Sequence, residues 1–110
     1  MNNDTGIVLY TIEQDGCLNG IYTNESCDGE IFNEIARKDN PSEGKDIIGS
    51  YNCFYFENKN NRVNAKLTIS LRKSKKRTYD FSWNVDNKIL FKGIGYKTSD
   101  KQIVVHYWDI

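Results

Sequence analysis

Residues 76–108 read KRTYDFSWNVDNKILFKGIGYKTSDKQIVVHYW. Three strand-like runs are separated here by two polar turns, at Asp86-Asn87 and Ser99-Asp100. In the first run Tyr79, Phe81, Trp83 and Val85 alternate with Thr78, Asp80, Ser82 and Asn84. A period of two means one buried face and one wet face. The second run, Lys88 to Lys97, carries Gly93 and Gly95 on one face, where small residues permit strong coiling of a sheet. The third, Gln102 to Trp108, is apolar on both faces. Ile103, Val105 and Tyr107 share one, and Val104, His106 and Trp108 share the other.

Outward from this stretch the same grammar continues. Arg62 to Arg72 is the cleanest alternation, with Val63, Ala65, Leu67, Ile69 and Leu71 on one face. Lys73 to Lys76 (KSKK) is a charged turn that serves solubility and edge protection. Ile47 to Glu57 reads as a long strand, followed by a polar turn at Asn58 to Asn61. Asp39 to Asp46 holds the only proline, Pro41, and reads as an exposed connection. Near the N-terminus, Gly6 to Glu13 and Cys17 to Asn24 flank the hairpin turn Gln14-Asp15-Gly16. Gly20 inside the second of these marks a bulge, a sharp coil or a close backbone approach. Glu25 to Gly29 is a loop, and residues 1–5 are polar and frayed. In Glu30 to Lys38, Ile31, Phe32, Ile35 and Ala36 fit helical spacing as well as a strand; the internal repeat described below decides for a strand. Eight strands with short connections predict an all-β fold, an eight-stranded antiparallel up-and-down barrel, because closure removes aggregation-prone edges.

The 110 residues suit one domain, residues 1–110, with one core. Fifteen basic and fifteen acidic residues leave a net charge of zero, which removes the electrostatic case for nucleic acid or a membrane surface as partner. No apolar run approaches a membrane span, and MNNDTG lacks the basic-then-apolar pattern of a leader. The expected location is cytoplasmic, with a mature exported form as the alternative. Cys17, Cys27 and Cys53 are odd in number and lack CxxC spacing. Free thiols are expected, without a metal site or cofactor, and a Cys17–Cys27 bridge stays open for an exported protein.

Sliding residues 8–35 onto 81–108 places Tyr10 on Trp83, Ile12 on Val85 and Gly20 on Gly93. LNGIYTN then meets FKGIGYK, and the strand from Glu30 meets that from Ile103. IIGSY at 47–51, followed by alternating strands, resembles the G-x-W/Y entry to the first strand of calycin barrels, the lipocalin and avidin-like group. The run YDFSW, FKGIGYK and QIVVHYW resembles the middle strands of small bacterial avidin-like barrels. In those barrels a segment like GIVLYTIEQDGCLNGIY follows the HYW strand; here it precedes GSY, so the resemblance implies a circularly permuted order, with the Pro41 loop as the added joint. Excision from a longer array of such barrels is the alternative. The resemblance implies a barrel with an interior; biotin binding is not carried over.

The candidate ligand-binding residues are the interior aromatics Tyr10, Tyr51, Phe81 and Trp83, weighed against simple filling of a narrow barrel. His106 alone makes neither a metal site nor a triad, and a Cys53–His106 nucleophile pair lacks an activating third group. Glu30 and Glu34 read as solvated acids near strand ends. The two-sided apolar character of 102–108 points to a homo-oligomer, a dimer foremost, whose interface uses Val104, His106 and Trp108. The function expected is non-enzymatic binding of a small apolar or aromatic ligand; the alternative is an interaction module with a filled barrel, and an enzyme ranks third.

Overall fold

A computed structural model of the protein describes residues 4–39, 46–58, 60–73 and 77–110. The Pro41 joint, Ser74 to Lys76 of the charged turn and the first three residues of the polar N-terminus lie outside the described residues. Eight strands are present: β1 (Thr5–Ile12), β2 (Leu18–Asn24), β3 (Phe32–Lys38), β4 (Gly49–Asn58), β5 (Asn61–Leu71), β6 (Thr78–Val85), β7 (Lys88–Ser99) and β8 (Gln102–Asp109). Each pairs antiparallel with the next, and β1 pairs with β8, so the sheet is a closed up-and-down barrel. Tyr10 lies opposite Ile103 and Thr5 opposite Trp108 across the closing seam.

Local chemistry accounts for the turns. Asp86 and Asn87 both adopt positive φ, 52° and 66°, which matches a two-residue turn to the twist of its strands. The longer turn after β1 uses Gly16 at φ 86°, with the Cys17 amide donating to Asp15 Oδ1 at 3.0 Å. The ambiguous segment is a strand, but it begins at Phe32 rather than Glu30. A 3-10 turn at Glu25–Cys27, capped by Asn24 Oδ1 on the Cys27 amide, and left-handed Asp28 and Gly29 occupy the chain first. β4 likewise begins at Gly49; Ile47 precedes it and is buried as part of the core.

The inward rows hold the core, led by Tyr10, Leu18, Tyr51, Leu67, Ile69, Phe81, Ile103 and Val105. Leu71 departs from its row and is half exposed, because it ends β5 at the rim. The strand directions define two ends. One, here the base, carries the turns after β1, β3, β5 and β7; the other, the mouth, carries the connections after β2, β4 and β6 and both chain ends. The base is plugged. Lys38 is buried there, its Nζ donating to the Asp46 carbonyl and lying 5.9 Å from the centre of the Tyr51 ring. Tyr51 Oη donates to the Ile47 carbonyl at 2.7 Å.

Eight strands leave little interior width, and glycines make room for the rings. A Cβ on Gly95 would lie 2.5 Å from the Phe81 ring, which is buried. Gly95→Ala is therefore expected to destabilise the protein by about 1–3 kcal/mol, the cost of overpacking a filled core. Urea denaturation checks this; an unchanged midpoint would show that Phe81 has room to move.

Candidate functional site

Glu34 stands mid-way along β3 and points inward, opposite Gly20 on β2 and Tyr55 on β4. It is 4% exposed. Tyr10 Oη donates to Glu34 Oε2, and Trp83 Nε1 donates to the same oxygen at 3.2 Å. The Cys53 thiol, inward on β4, is a third close neighbour. Sequence reading placed Glu34 among solvated acids. The structure corrects this, since the barrel closes over the middle of β3. Glu30 does lie in the exposed connection before that strand.

Gly20 makes the contact between Tyr10 and Glu34 feasible. Tyr10, Gly20 and Glu34 form one lateral row across β1, β2 and β3. Neighbouring strands stand about 4.8 Å apart, so Tyr10 must lean over the intervening strand to reach the carboxylate. A Cβ on Gly20 would lie 2.8 Å from the Tyr10 ring. The device recurs across the closing seam, where Tyr107, Gly6 and Asn24 form a row on β8, β1 and β2. A Cβ on Gly6 would lie 2.5 Å from Tyr107 Cζ, and Asn24 Nδ2 donates to Tyr107 Oη at 2.9 Å.

Between Glu34 and the mouth lies a cavity of about 240 Å3. Its walls are Val8, Tyr22, Tyr55, Trp83, Phe91 and Tyr107, with Asn24, Ser26 and Cys27 toward the rim and Glu34 at the floor. The rings touch in sequence: Tyr22–Tyr55 at 6.0 Å between centres, Tyr55–Phe91 at 6.4 Å, Phe91–Tyr107 at 5.8 Å and Tyr107–Trp83 at 5.7 Å. Three of these contacts are edge-to-face and the last is tilted. The Tyr22 hydroxyl donates to the Phe56 carbonyl, and that of Tyr107 is engaged by Asn24, so both are held by the barrel wall.

Burial dominates the electrostatics. It raises the Glu34 carboxyl above the ordinary carboxylate range, while hydrogen bonds from Tyr10, Trp83 and Cys53 pull it back in part. Burial, with the Glu34 charge second, pushes Tyr10 well above its usual value and raises the Cys53 thiol. Tyr22 and Tyr107 are raised by burial as well. Among the described residues the ion pairs recorded are Lys66–Asp39 and Arg72–Asp80, so neither neutralises Glu34.

The four aromatics singled out in the sequence all point inward and are buried. Trp83 alone of the four lines the cavity; Tyr10 bonds to the floor, and Tyr51 and Phe81 fill the core. Tyr10 stacks on Phe81 at 6.0 Å, and Phe81 on Trp83 at 5.8 Å. Val104, His106 and Trp108 face outward: His106 is exposed, and the other two are half-buried. Their face of β8 is thus open in the single chain, whereas Ile103, Val105 and Tyr107 are buried.

Cys53 and His106 do not meet; one points into the barrel from β4, and the other points out from β8. Cys17 lies at the base and Cys27 at the mouth, and all three thiols are free, which closes the option of a Cys17–Cys27 bridge. Among the described residues no group of three or more His, Cys, Asp or Glu is placed to hold a metal. One sequence signal could have found Glu34. The internal repeat sets it on Tyr107, and in the structure Gly20 faces Glu34 as Gly93 faces Tyr107. The two hairpins differ in register, however: Tyr10 faces Gly20, but Gly93 faces Phe81 rather than Trp83.

No family model matches the chain, and no curated protein or solved structure matches it.

The raised carboxyl has a definite sign in stability. The folded state holds the Glu34 proton more tightly than the unfolded chain does. Its contribution is full below about pH 4 and is lost as pH rises through the folded-state titration. Glu34→Gln keeps an oxygen to accept both hydrogen bonds and cannot ionise. Its melting temperature relative to wild type is expected to rise as pH increases above about 4, until Glu34 is ionised in the folded state. Parallel curves would mean that Glu34 titrates alike in both states.

Proposed function

We propose that this barrel is a non-enzymatic binding protein that holds a small, partly apolar molecule in the cavity above Glu34. The observation that carries this reading is the cavity itself, aromatic on its walls and polar only at its floor and rim. Binding pockets are commonly apolar with a few convergent polar groups. At about 240 Å3 the space lies just below the usual range for drug-sized ligands, so the occupant is compact. The resemblance to calycin and avidin-like barrels supports the same reading, because those folds work through their interiors. Pairing of β1 with β8 places the chain ends on adjacent strands, which makes a permuted strand order inexpensive.

A second reading rests on the outer surface. Ile21, Leu9, Val104 and Tyr96 stand side by side across β2, β1, β8 and β7. Ile7, His106 and Ile94 form the adjacent row. Ile7, Ile21 and Tyr96 are 45–49% exposed, so this apolar band lies open in the single chain. A homodimer through this face would cover it.

Native mass spectrometry of gently purified protein tests the first reading. A reproducible extra mass, released on denaturation and absent from Cys27→Phe, is the expected outcome. Retention of that mass by Cys27→Phe would place the ligand elsewhere. No extra mass, together with no response of Trp83 emission in a Trp108→Phe background to a fragment library, would make the interior a filled core. Light scattering at micromolar concentration tests the second: a dimer that Val104→Glu converts to monomer is expected, and a monomeric wild type overturns it.

A further inference from the structure

A carboxylate on the floor of an aromatic cavity has a chemical complement. From this geometry we propose that the cavity selects a small organic cation, a protonated or quaternary amine bearing an apolar group. The proposal rests on the binding reading above and names the ligand class that reading leaves open.

Three observations converge. First, Glu34 borders the cavity while its Oε2 receives both Tyr10 Oη and Trp83 Nε1. Were only a hydrogen-bond acceptor needed there, a glutamine would serve without the cost of burying a charge. The ion pairs among the described residues involve other acids, so none of them occupies this carboxyl.

Second, Tyr22, Tyr55, Trp83, Phe91 and Tyr107 surround the space in a run of ring contacts. Aromatic faces attract ammonium groups, most strongly where water is excluded. An inorganic metal ion fits poorly, since one carboxylate among rings supplies too few hard ligands, and among the described residues no metal-holding cluster is present.

Third, the mouth favours positive charge. Asp4, Glu25, Asp28, Glu30 and Asp86 lie in its connections and strand ends, against Lys88 and Arg62 among the described residues there. Asp109, opposite Phe91 at the end of β8, has Oδ1 buried without a hydrogen-bond partner among the described atoms. The same surroundings oppose carboxylate ligands.

Isothermal titration with three similar molecules tests the class: phenethylamine, 2-phenylethanol and phenylacetate. Phenethylamine is expected to bind wild type at least about tenfold more tightly than the alcohol, with phenylacetate weakest. In Glu34→Gln the amine should lose that advantage while the alcohol keeps its affinity. A pH series on wild type serves as a second readout that needs no variant. The groups facing Glu34 are Tyr10 on β1, Tyr22 on β2, Cys53 and Tyr55 on β4, Trp83 on β6 and Tyr107 on β8, with Cys27 and Asp109 nearer the mouth. Amine affinity should rise with pH as the Glu34 carboxyl ionises, while alcohol affinity should stay flat. Equal affinities for amine and alcohol, or an amine preference that survives in Glu34→Gln, would overturn the cation inference and leave small-molecule binding standing. Tighter binding of phenylacetate overturns it in the same way. If none of the three binds, the cation inference falls, and the binding reading is then judged by the native mass measurement alone.

Discussion

Closure of β1 onto β8 is the constraint on which this molecule depends. Once the eighth strand returns to the first, every interior strand edge is paired and the interior has a set width. Three of the aromatic rings then fit because a glycine gives way. Gly20 gives way to Tyr10, Gly95 to Phe81 and Gly6 to Tyr107. Two of these pairs do more than fill space. By leaning over a glycine, Tyr10 and Tyr107 reach polar side chains one strand further on, Glu34 and Asn24. The absence of a side chain on one strand thus sets the hydrogen bonding between the strands on either side.

Packing is unequal along the barrel axis. Toward the base, Tyr51, Lys38 and Ile47 close the interior. Toward the mouth the rings meet one another around a space instead of filling it. Glu34 lies at the boundary between these halves. Its burial raises its affinity for a proton, and two donors on a single oxygen hold its orientation. A carboxyl held this way is costly as a core element and well placed as a recognition element, which is the physical basis for proposing a cationic ligand.

The outer face of β8 follows from the same closure. Val104 and Trp108 are half-buried against neighbouring outward residues, and His106 contacts Trp108 at 5.6 Å between ring centres. No strand of the barrel covers them, since the sheet is a single layer whose other face is the core. The apolar character of alternate β8 residues therefore calls for a different explanation from that of Ile103, Val105 and Tyr107, which the interior accounts for fully.

By itself the sequence determined the strands, most of the turns and the closed antiparallel barrel. Those features depend on short-range chemistry: period-two alternation in 62–71 and 78–85, the positive φ accepted by Asp86-Asn87 and Gly16, and connections that are mostly hairpin-short. It also placed Tyr10, Tyr51, Phe81 and Trp83 inside. Only the tertiary structure decided which inward residues pack and which border space, because that depends on contacts such as Tyr55 with Phe91, whose strands never pair. It alone turned Glu34 inward. In FNEIARK both faces carry apolar residues, so local alternation leaves the buried side undecided, and the deciding contact is a tyrosine leaning over a glycine from two strands away.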